Sequence, residues 1–335
     1  METITLAQGG GGVATNALVE RVFLTHLREF FVSLGEDAGV FSPHSAMACS
    51  TDSFVITPVV FAGGDIGKLS VCGSSNDVAM MGAKPVYINL GFMLEEGLEI
   101  ALLESIIQSI AKELRLTGLK ILSADTKVLP KGSIDKLFIN TTCLGEILLP
   151  NVSTQALSVG DSIIVSAPIG AHGASIFAAR ENIKLESSVQ SDCAQLYPML
   201  APLFAKCPRI HTMRDATRGG LSAVLHEWVQ DRELCIELDE GALPIDEGVQ
   251  GICEILGLEP SHLANEGVCV LAVDKSDTQE VCDILRGHSL GSKACVIGEV
   301  CAASKQTKSR VVLINEWGGK RFMEYPQGEL LPRIC

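Results

Sequence analysis

The chain has 335 residues and ends on a cysteine, in the segment LPRIC. Cysteine is usually buried, whereas a chain terminus is usually exposed. A prenylation signal is excluded, because it needs three residues after the cysteine. Residues 326–335 contain two prolines and a glycine, so they predict neither a helix nor a central strand, and they reach about 33–36 Å when extended. The pattern indicates either a leftover thiol or a thiol, Cys335, on a movable arm.

Four aspartates in the first 130 residues lie beside strand-like runs. They are Asp37 in GEDAGV, Asp52 in STDSFVI, Asp77 in SSNDVAMMGAKP and Asp125 in LSADTKV. Each can be a simple cap or turn residue. If the fold brings them together, magnesium would relieve their repulsion and could bridge nucleotide phosphates. Lys127 would then supply positive charge to a transferring phosphoryl group.

Glu266 precedes the apolar run VCVLAV, in the sequence NEG. A partly buried glutamate at a strand start can have a raised pKa and can act as a base. A plain loop position is an equally open interpretation.

Two glycine-rich stretches could bind phosphate. In RDATRGGLSAVLHEW, Gly219 and Gly220 open a helical pattern beside Arg214 and Arg218, which is typical of an anion site and also of an ordinary helix start. The N-terminal arm, which includes Gly11 and Gly12, could close backbone amides over phosphates or be unstructured. GGDIGK (63–68) lacks P-loop spacing, and a Rossmann turn at 9–14 has no strand before it.

The elements that must position these residues are a mixture of strands and helices. Strand-like runs occur at 54–60, 86–92, 119–124, 137–149, 162–167, 268–273 and 311–314. Helical spacing is clearest over 98–114 and after Gly220, where Leu221, Val224, Leu225 and Trp228 share a face. There is no regular βαβ alternation, so we predict an α+β fold.

Composition narrows the function classes. A formal charge of −14 argues against non-specific binding to nucleic acid or anionic membrane. No apolar run is long enough to span a bilayer, and METITLAQ is not a signal peptide, so we expect a cytoplasmic protein. The twelve cysteines include no C-x-x-C pair, so the sequence supports neither a zinc site nor a disulfide framework.

In their order and spacing, STDSFVITPVVFAGGDIGKLSVCGSSNDVAMMGAKP, SADTKV, DKLFINT, RDATRGG, NEGVCVLAV and the terminal PRIC resemble the HypE family of hydrogenase maturation proteins. This family belongs with aminoimidazole ribonucleotide (AIR) synthetase, selenophosphate synthetase and thiamine-monophosphate kinase. The resemblance runs essentially end to end. It implies two AIR synthase (PurM)-like domains, at 1–155 and 156–325, a flexible tail at 326–335 and a homodimer formed through the N-terminal domains.

The resemblance also implies an activity. Cys335 would accept a carbamoyl group from a HypF-type carbamoyltransferase, and ATP-dependent dehydration would convert it to a thiocyanate. The cyanide would pass to iron on a HypC–HypD complex, for the active site of [NiFe]-hydrogenase. Lys127 and Glu266 would lie near the reacting tail. The residues expected to hold magnesium–ATP are Asp37, Asp52, Asn76, Asp77, Asp125 and Thr126, with the backbone of Gly11 and Gly12, and with Arg214, Arg218, Gly219 and Gly220.

Two departures from the family pattern limit what is carried over. Ala7–Gly12 replaces a histidine and a serine, so only backbone contacts are expected there, and Ala171 stands where an aspartate is common. Two other functions stay open: a kinase or synthetase of the same superfamily that acts on a free metabolite, and a nucleotide-binding scaffold without chemistry of its own.

Overall fold

The structure is a computed structural model that describes residues 2–9, 13–32, 34, 41–43, 45–181, 189–206, 208–305, 307–326 and 333–335. The chain divides into two compact units. The first unit comprises 1–79, 83–147 and Cys335, and the second comprises 80–82 and 148–334. This division falls after residue 147, whereas the family resemblance implies a boundary after residue 155.

The first unit contains a four-stranded sheet in the order β1-β6-β4-β5 and a two-stranded ribbon of β2 and β3. Its strands are β1 (Met47–Phe54), β2 (Val60–Phe61), β3 (Gly64–Asp65), β4 (Ala83–Glu95), β5 (Lys120–Leu129) and β6 (Leu137–Ile147). Its α-helices are α1 (Val13–Leu18), α2 (Thr25–Leu27), α3 (Ile66–Met80) and α4 (Ile100–Thr117), with a π-helix at Val19–Leu24 and 3₁₀ turns at Leu6–Gly9 and Arg28–Phe30. Antiparallel and parallel pairs coexist in the larger sheet, as expected for an α+β fold.

The two faces of the larger sheet differ in character. Burial alternates residue by residue along β6, as it does for a strand with one covered face. On the covered face, Thr141 donates a hydrogen bond to the carbonyl oxygen of Ser70 in α3 at 3.1 Å. A side chain at Gly73 would lie 2.7 Å from the ring of Phe54, so glycine lets α3 approach β1 closely. The opposite, open face carries Ser53, Asn140 and Asp125.

Helix α4 forms where the sequence predicted one, displaced by two to three residues. Its apolar stripe, Leu103, Ile106, Ile107, Ile110 and Leu114, is buried. The helix ends at Gly118, whose φ of 73° places it in the left-handed region that favours glycine.

The second unit contains a seven-stranded sheet in the order β13-β12-β9-β11-β7-β10-β8. Its strands are β7 (Ser162–Val165), β8 (Ile210–Asp215), β9 (Leu234–Asp239), β10 (Cys269–Val273), β11 (Cys295–Ala302), β12 (Arg310–Ile314) and β13 (Lys320–Phe322). Its α-helices are α5 (Ala171–Arg180), α6 (Tyr197–Lys206), α7 (Gly220–Val229), α8 (Glu247–Leu256) and α9 (Thr278–Arg286), with 3₁₀ turns at Thr154–Ala156, Glu240–Ala242, Pro260–His262 and Ser289–Gly291.

The core of the second unit explains why its central strands could be predicted from the sequence. Every residue of β10 is buried, as a continuous apolar run predicts. The apolar stripe of α7 packs on the sheet in one cluster that includes Leu221, Leu225 and Trp228. This confirms the helix predicted after Gly220.

The predicted strand at 54–60 is wrong. The strand is β1, at 47–54, because its backbone pairs with β6 from Met47↔Glu146 to Phe54↔Ile139. Beyond Phe54 the run contains Pro58, which has no backbone N–H to donate to a ladder. The sequence prediction also omitted β8, β9, β11 and β13, whose patterns mix polar and apolar residues.

Within the described ranges, no helix is long and apolar enough to cross a bilayer. The cysteines in the same ranges are all free thiols.

Candidate functional site

Three of the predicted phosphate- and metal-binding residues converge on the covered face of the first unit. Ser50 on β1 donates a hydrogen bond to Asp77 Oδ2 on α3 at 2.6 Å. Asp52 lies two residues along β1 from Ser50, so its side chain leaves the strand on the same face. Asn76 precedes Asp77 on α3 and is 1% exposed. Asp52, Asn76 and Asp77 therefore form an oxygen-rich group between β1 and α3, which we call the β1–α3 cluster.

The other site residues that were predicted in the first unit and that the structure describes lie on the edge strand β5. Lys127 Nζ forms an ion pair with Asp125 Oδ2 at 2.9 Å, and both side chains are about two-thirds exposed. The hydrogen bond from Lys127 is the main reason why the pKa of Asp125 lies below its usual range. Thr126 lies between them and is half-buried. Asp125 therefore stays ionised at neutral pH, and both side chains face solvent.

The strand register separates Asp125 from the β1–α3 cluster. Asp52 is in register with Thr141 and Leu90, on the covered face, whereas Asp125 is in register with Gly91 and Asn140, on the open face. Three strand spacings, about 14 Å, lie between β1 and β5. Within the described ranges there is no group of three or more His, Cys, Asp or Glu side chains that could hold a metal ion. Asp37, Gly11 and Gly12 lie outside the described residues.

A cleft of 410 Å³ opens beside β5 in the first unit. Asp125 and Thr126 line one wall, and Thr15, Glu20 and Arg28 line the wall formed by the N-terminal helical segment. Its volume is in the range of small-ligand sites. Two of the predicted nucleotide-binding residues therefore border a cavity of suitable size.

Cys335 packs with the first unit. A main-chain carboxylate oxygen of Cys335 accepts a hydrogen bond from the backbone N–H of Val55 at 3.0 Å. Val55 directly follows β1, three residues after Asp52. The terminal residue therefore contacts the end of the strand that carries Asp52, and three residues of extended backbone, about 10 Å, separate Asp52 from Val55.

Glu266 lies in the second unit and is 3% exposed. The loop that carries it is fixed by Asn265, whose Oδ1 accepts from Gly170 N–H at 2.6 Å and whose Nδ2 donates to the Ala216 carbonyl at 2.8 Å. A side chain at Gly267 would lie 1.9 Å from the Asp192 carbonyl oxygen, so only glycine fits there. In the NEG sequence, Asn265 and Gly267 are therefore explained by the structure of the loop, and Glu266 between them places a carboxylate in the interior.

Arg214, Arg218 and Gly219 line a second cleft, of 490 Å³, in the second unit. Tyr325 and Ile334 line the same cleft. Arg214 Nη1 pairs with Glu227 Oε2 at 3.0 Å, which neutralises part of its charge. The structure thus brings three predicted anion-binding residues together beside the last residues of the chain.

The two glycines at the start of α7 have a packing role. Gly219 and Gly220 have φ values of 78° and 61°. A side chain at Gly220 would lie 2.5 Å from the carbonyl oxygens of Ser261 and Leu263. The Gly220 N–H already donates to the Thr217 carbonyl at 2.9 Å. The double glycine is therefore explained by backbone geometry, and Gly220 does not line the cleft.

Sequence reasoning missed the residues that hold the end of the chain. His172 is fully buried on α5; its Nε2 lies 2.8 Å from the carbonyl oxygen of Ile334, and its Nδ1 lies 2.7 Å from Ser191 Oγ. Arg180 Nη2 donates to the Arg333 carbonyl at 2.6 Å. Burial lowers the pKa of His172 to about 4, so the ring is neutral. A lone histidine in AHGAS carries no sequence signal for this role, because its partner is a main-chain carbonyl 162 residues away.

Asp192 is the second residue that sequence reasoning missed. Its Oδ1 accepts from Glu266 N–H at 3.1 Å, and the amides of Gly267 and His172 also bond to the carboxylate. Burial is the main reason why its pKa is raised to about 6, even though these hydrogen bonds act to lower it. Asp192 thus ties the start of α5 to the loop that carries Glu266.

Comparison with known proteins identifies the family. Residues 35–147 match the AIR synthase related protein family, N-terminal domain, and residues 158–309 match its C-terminal domain. The carbamoyl dehydratase HypE of Escherichia coli K12 is 41% identical, with all of both chains covered. The chain belongs to the HypE family of carbamoyl dehydratases. It is therefore a member of an enzyme family of hydrogenase maturation, as its sequence motifs indicated.

Solved structures agree with this assignment to the HypE family. A hydrogenase maturation protein HypE in complex with ATP matches with a TM-score of 0.94 at 38% identity, covering 99% of this chain and all of that one. A HypE–HypF complex contains a chain that matches at 0.81 and 36% identity, covering 92% and 100%. Thiamine monophosphate kinase from Aquifex aeolicus, 16% identical with a TM-score of 0.61, shares the fold, which confirms the predicted AIR synthase-like α+β architecture.

Proposed function

We propose that this HypE-family chain dehydrates a carbamoyl group carried on its own Cys335 to a thiocyanate, and that the product supplies the cyanide ligand of [NiFe]-hydrogenase iron. The observation that carries the proposal is the hydrogen bond between Cys335 and Val55, which directly follows β1, the strand that carries Asp52. A thiol that serves only as a leftover has no need of an ordered main-chain contact at this point.

The reaction has a clear atomic balance. The sulfur-bound carbamoyl group is S–C(=O)–NH₂, and its oxygen is a poor leaving group until it is phosphorylated by ATP. Phosphorylation on oxygen, with loss of one N–H proton, gives S–C(–O–phosphate)=NH. Loss of phosphate and of the second N–H proton then gives S–C≡N. The oxygen leaves with the phosphate, so the products are thiocyanate, ADP and inorganic phosphate.

Two side chains suit the two demands of this chemistry. Lys127, exposed and charged, would neutralise charge on the transferring phosphoryl group. Glu266, buried in the second unit, would accept a proton from nitrogen as a general base. We assign both as catalytic residues of the proposed reaction.

The described donor set fits magnesium in its chemistry. Asp52 and Asp77 are half-buried carboxylates within one oxygen-rich cluster, which is the ligand type that magnesium prefers. We propose that they hold the metal with Asn76 nearby, that Asp37 completes the set, and that Asp125 and Thr126 contact the nucleotide. When bound, magnesium would neutralise phosphate charge. The relative crystallised with ATP supports nucleotide binding by this chain.

In a homodimer formed through the first unit, Asp125 of one copy could lie near the β1–α3 cluster of the other copy. A second copy that packs on the open face can bring its β5 edge towards β1 of the first copy. That face also carries half-buried apolar pairs, Phe138 opposite Met93 and Leu144 opposite Tyr87, which suit an interface. We therefore propose that each complete site takes residues from two copies.

Complementation between variants tests the shared site. Asp52→Ala and Asp125→Ala would each be inactive alone. After the two variants are unfolded and refolded together, random pairing in a two-fold dimer would restore roughly a quarter of wild-type turnover, because one site per mixed dimer keeps both aspartates. Failure of the mixture to regain activity, with dimers verified by light scattering, would contradict the shared site.

Two partners complete the proposed pathway. The crystallised HypE–HypF complex supports a HypF-type carbamoyltransferase as the donor. A HypC–HypD complex is proposed as the acceptor, because free cyanide would be lost to water unless it were handed directly to metal.

Intact-mass spectrometry tests the reaction itself. With ATP and a carbamoyl donor system, the wild-type chain should gain a carbamoyl mass and then lose one water, both mapped to the C-terminal peptide. Cys335→Ser should show neither step, and Cys301→Ser, which removes a partly exposed cysteine of β11 in the second unit, should show both. An unmodified mass in an assay where a HypE relative is modified would overturn the proposal. ATP turnover on a free metabolite by Cys335→Ser would instead favour a kinase or synthetase.

A further inference from the structure

Side chains of helix α5 bind main-chain carbonyl groups of the last residues of the chain. Arg180, the last residue of α5, donates to the Arg333 carbonyl at 2.6 Å, and His172, near its start, bonds to the Ile334 carbonyl at 2.8 Å. Ile334 is 6% exposed, so its side chain is buried as well. Cys335 is the next residue. The position of its backbone is therefore set by contacts that do not involve its own side chain.

The direction of each hydrogen bond follows from the chemistry of the partners. A carbonyl oxygen only accepts, so His172 Nε2 must carry the hydrogen that is donated to Ile334. The neutral ring then accepts at Nδ1, and Ser191 Oγ, 2.7 Å away, donates to it. Ser191 Oγ in turn accepts from Cys193 N–H at 3.1 Å. Ser191 thus fixes the tautomer of His172 that the tail requires.

We propose that Ser191, His172 and Arg180 are positioning residues that hold the terminal cysteine for its chemistry: His172 and Arg180 bind the main-chain carbonyls of Ile334 and Arg333, and Ser191 orients His172. The catalytic part of this inference rests on the proposed dehydration; the docking itself does not. We call these three residues the tail clamp.

Because the tail clamp recognises main-chain atoms, it can hold the tail at every stage of the reaction cycle. The tail clamp contacts carbonyl oxygens of residues 333 and 334, and these are the same whether Cys335 carries a free thiol, a carbamoyl group or a cyano group. Docking is therefore insensitive to the cargo. The two hydrogen bonds and the buried side chain of Ile334 favour the docked tail, and a contact of this size is small enough for a partner to displace.

Carboxypeptidase digestion measures docking without any assay of catalysis. The enzyme needs a free C-terminus, so the rate at which Cys335 is released, followed by intact mass, reports the undocked fraction. His172→Phe keeps a ring of similar size and removes the hydrogen bond, and it should accelerate release about five- to tenfold, as expected for a loss of about 1 kcal/mol. Arg180→Ala and Ser191→Ala should each accelerate release, Ser191→Ala the least.

Matched variants separate positioning from general loosening. His172→Gln, whose amide nitrogen can replace Nε2 as a donor, should stay near the wild-type rate. His211→Phe makes the same ring replacement at a histidine that pairs with Asp161, and it should leave release unchanged. Thermal unfolding of each variant verifies that it is folded. If His172→Phe fails to fold, Ser191→Ala and Arg180→Ala provide the same test.

Single-turnover dehydration provides the second readout. In clamp variants the rate of water loss from carbamoylated Cys335 should fall while the KM for ATP stays unchanged, and His172→Gln should restore the rate. Unchanged release of Cys335 in folded His172→Phe, Ser191→Ala and Arg180→Ala would overturn the clamp, as would equal acceleration by His211→Phe. If the variants release Cys335 faster but the wild-type protein never dehydrates carbamoylated Cys335, the docking role of the tail clamp stands and the proposed function is overturned.

Discussion

The two units place their candidate functional groups in opposite environments. In the first unit, Asp125 and Lys127 are 68% and 67% exposed. In the second unit, His172 and Glu266 are 0% and 3% exposed and are surrounded by hydrogen-bonded loops. The exposed pair must be organised by whatever binds to it, whereas the buried groups are fixed by the fold before any ligand arrives. The first arrangement suits a nucleotide that comes and goes, and the second suits a reaction that must exclude water.

This difference separates activity from stability. An exposed ion pair contributes about 0–1 kcal/mol to folding, so substitutions at Asp125 or Lys127 should affect chemistry with little loss of stability. Buried polar groups cost free energy when a partner is removed, so substitutions in the second unit should affect both.

The largest effect is expected at Glu266. Glu266→Gln keeps the size of the buried side chain and removes a base, so it should lower the single-turnover rate of dehydration by about 10²- to 10⁴-fold. Carbamoylation of Cys335 should proceed normally. The control is Glu113→Gln, since Glu113 in the first unit is equally buried at 3% exposure. Wild-type dehydration by Glu266→Gln would remove Glu266 from the mechanism.

Lys127→Ala tests the exposed side of the comparison. We expect a loss of about 10²-fold in dehydration rate, from the lost positive charge, with a change in the free energy of unfolding below about 0.5 kcal/mol. Lys131→Ala, at a nearby exposed turn, should change neither quantity. If Lys127→Ala instead destabilises the protein strongly, the interpretation of this residue as a solvated functional group is wrong.

Gly220→Ala should affect stability first. A methyl group there would meet two carbonyl oxygens at 2.5 Å on a backbone with a φ of 61°, so we expect a loss of about 2 kcal/mol or more in urea denaturation. Gly251→Ala is the matched control, because it lies inside α8 with no heavy atom within 4 Å of an added methyl group. The free energy of unfolding of Gly251→Ala should rise by about 0.5–1 kcal/mol. Equal effects at the two positions would contradict the packing role of Gly220.

The sequence predicted what depends on local pattern. The helix at α4, the apolar strand β10 and the helix start at Gly220 follow from periodicity and turn chemistry, and all three are confirmed. The Asp52 and Asp77 contacts were not derivable, because they depend on which face of β1 meets α3. The role of His172 was out of reach for the same reason: its partners are a serine 19 residues away and a carbonyl at the far end of the chain. The β1 boundary was misread because pairing with β6, rather than hydrophobicity, decides it.

In the wild type, the smallest effect is expected from pH, because two buried groups around α5 act on stability in opposite directions. Because burial lowers the pKa of His172 from 6.5 to about 4, the unfolded chain binds a proton that the folded chain does not, and this makes stability fall as pH falls between about 6.5 and 4. Asp192, raised from 3.8 to about 6, holds a proton only in the folded chain between those values and acts in the opposite sense. Arg180, which also faces His172, keeps its charge throughout.

The two groups should therefore offset each other in the wild type near pH 5. Relative to the wild type, the free energy of unfolding of Asp192→Asn should fall by about 1.4 kcal/mol per pH unit as pH falls from 6 to 4. That of His172→Gln should rise with a similar slope. Urea denaturation at pH 4.5, 5.5 and 7.5 measures both slopes, with His211→Gln as the control. Parallel pH curves for the three proteins would contradict the assigned burial of these groups.

Infrared spectroscopy of the loaded protein tests the central claim most directly. Cys335 is carbamoylated with a ¹³C-labelled donor, and ATP is then added to the isolated protein. We predict a nitrile stretching band that shifts with the ¹³C label, appears in step with ADP and is absent from Glu266→Gln. ADP formation without an isotope-sensitive nitrile band would contradict the proposal that this chain makes thiocyanate on its own terminal cysteine.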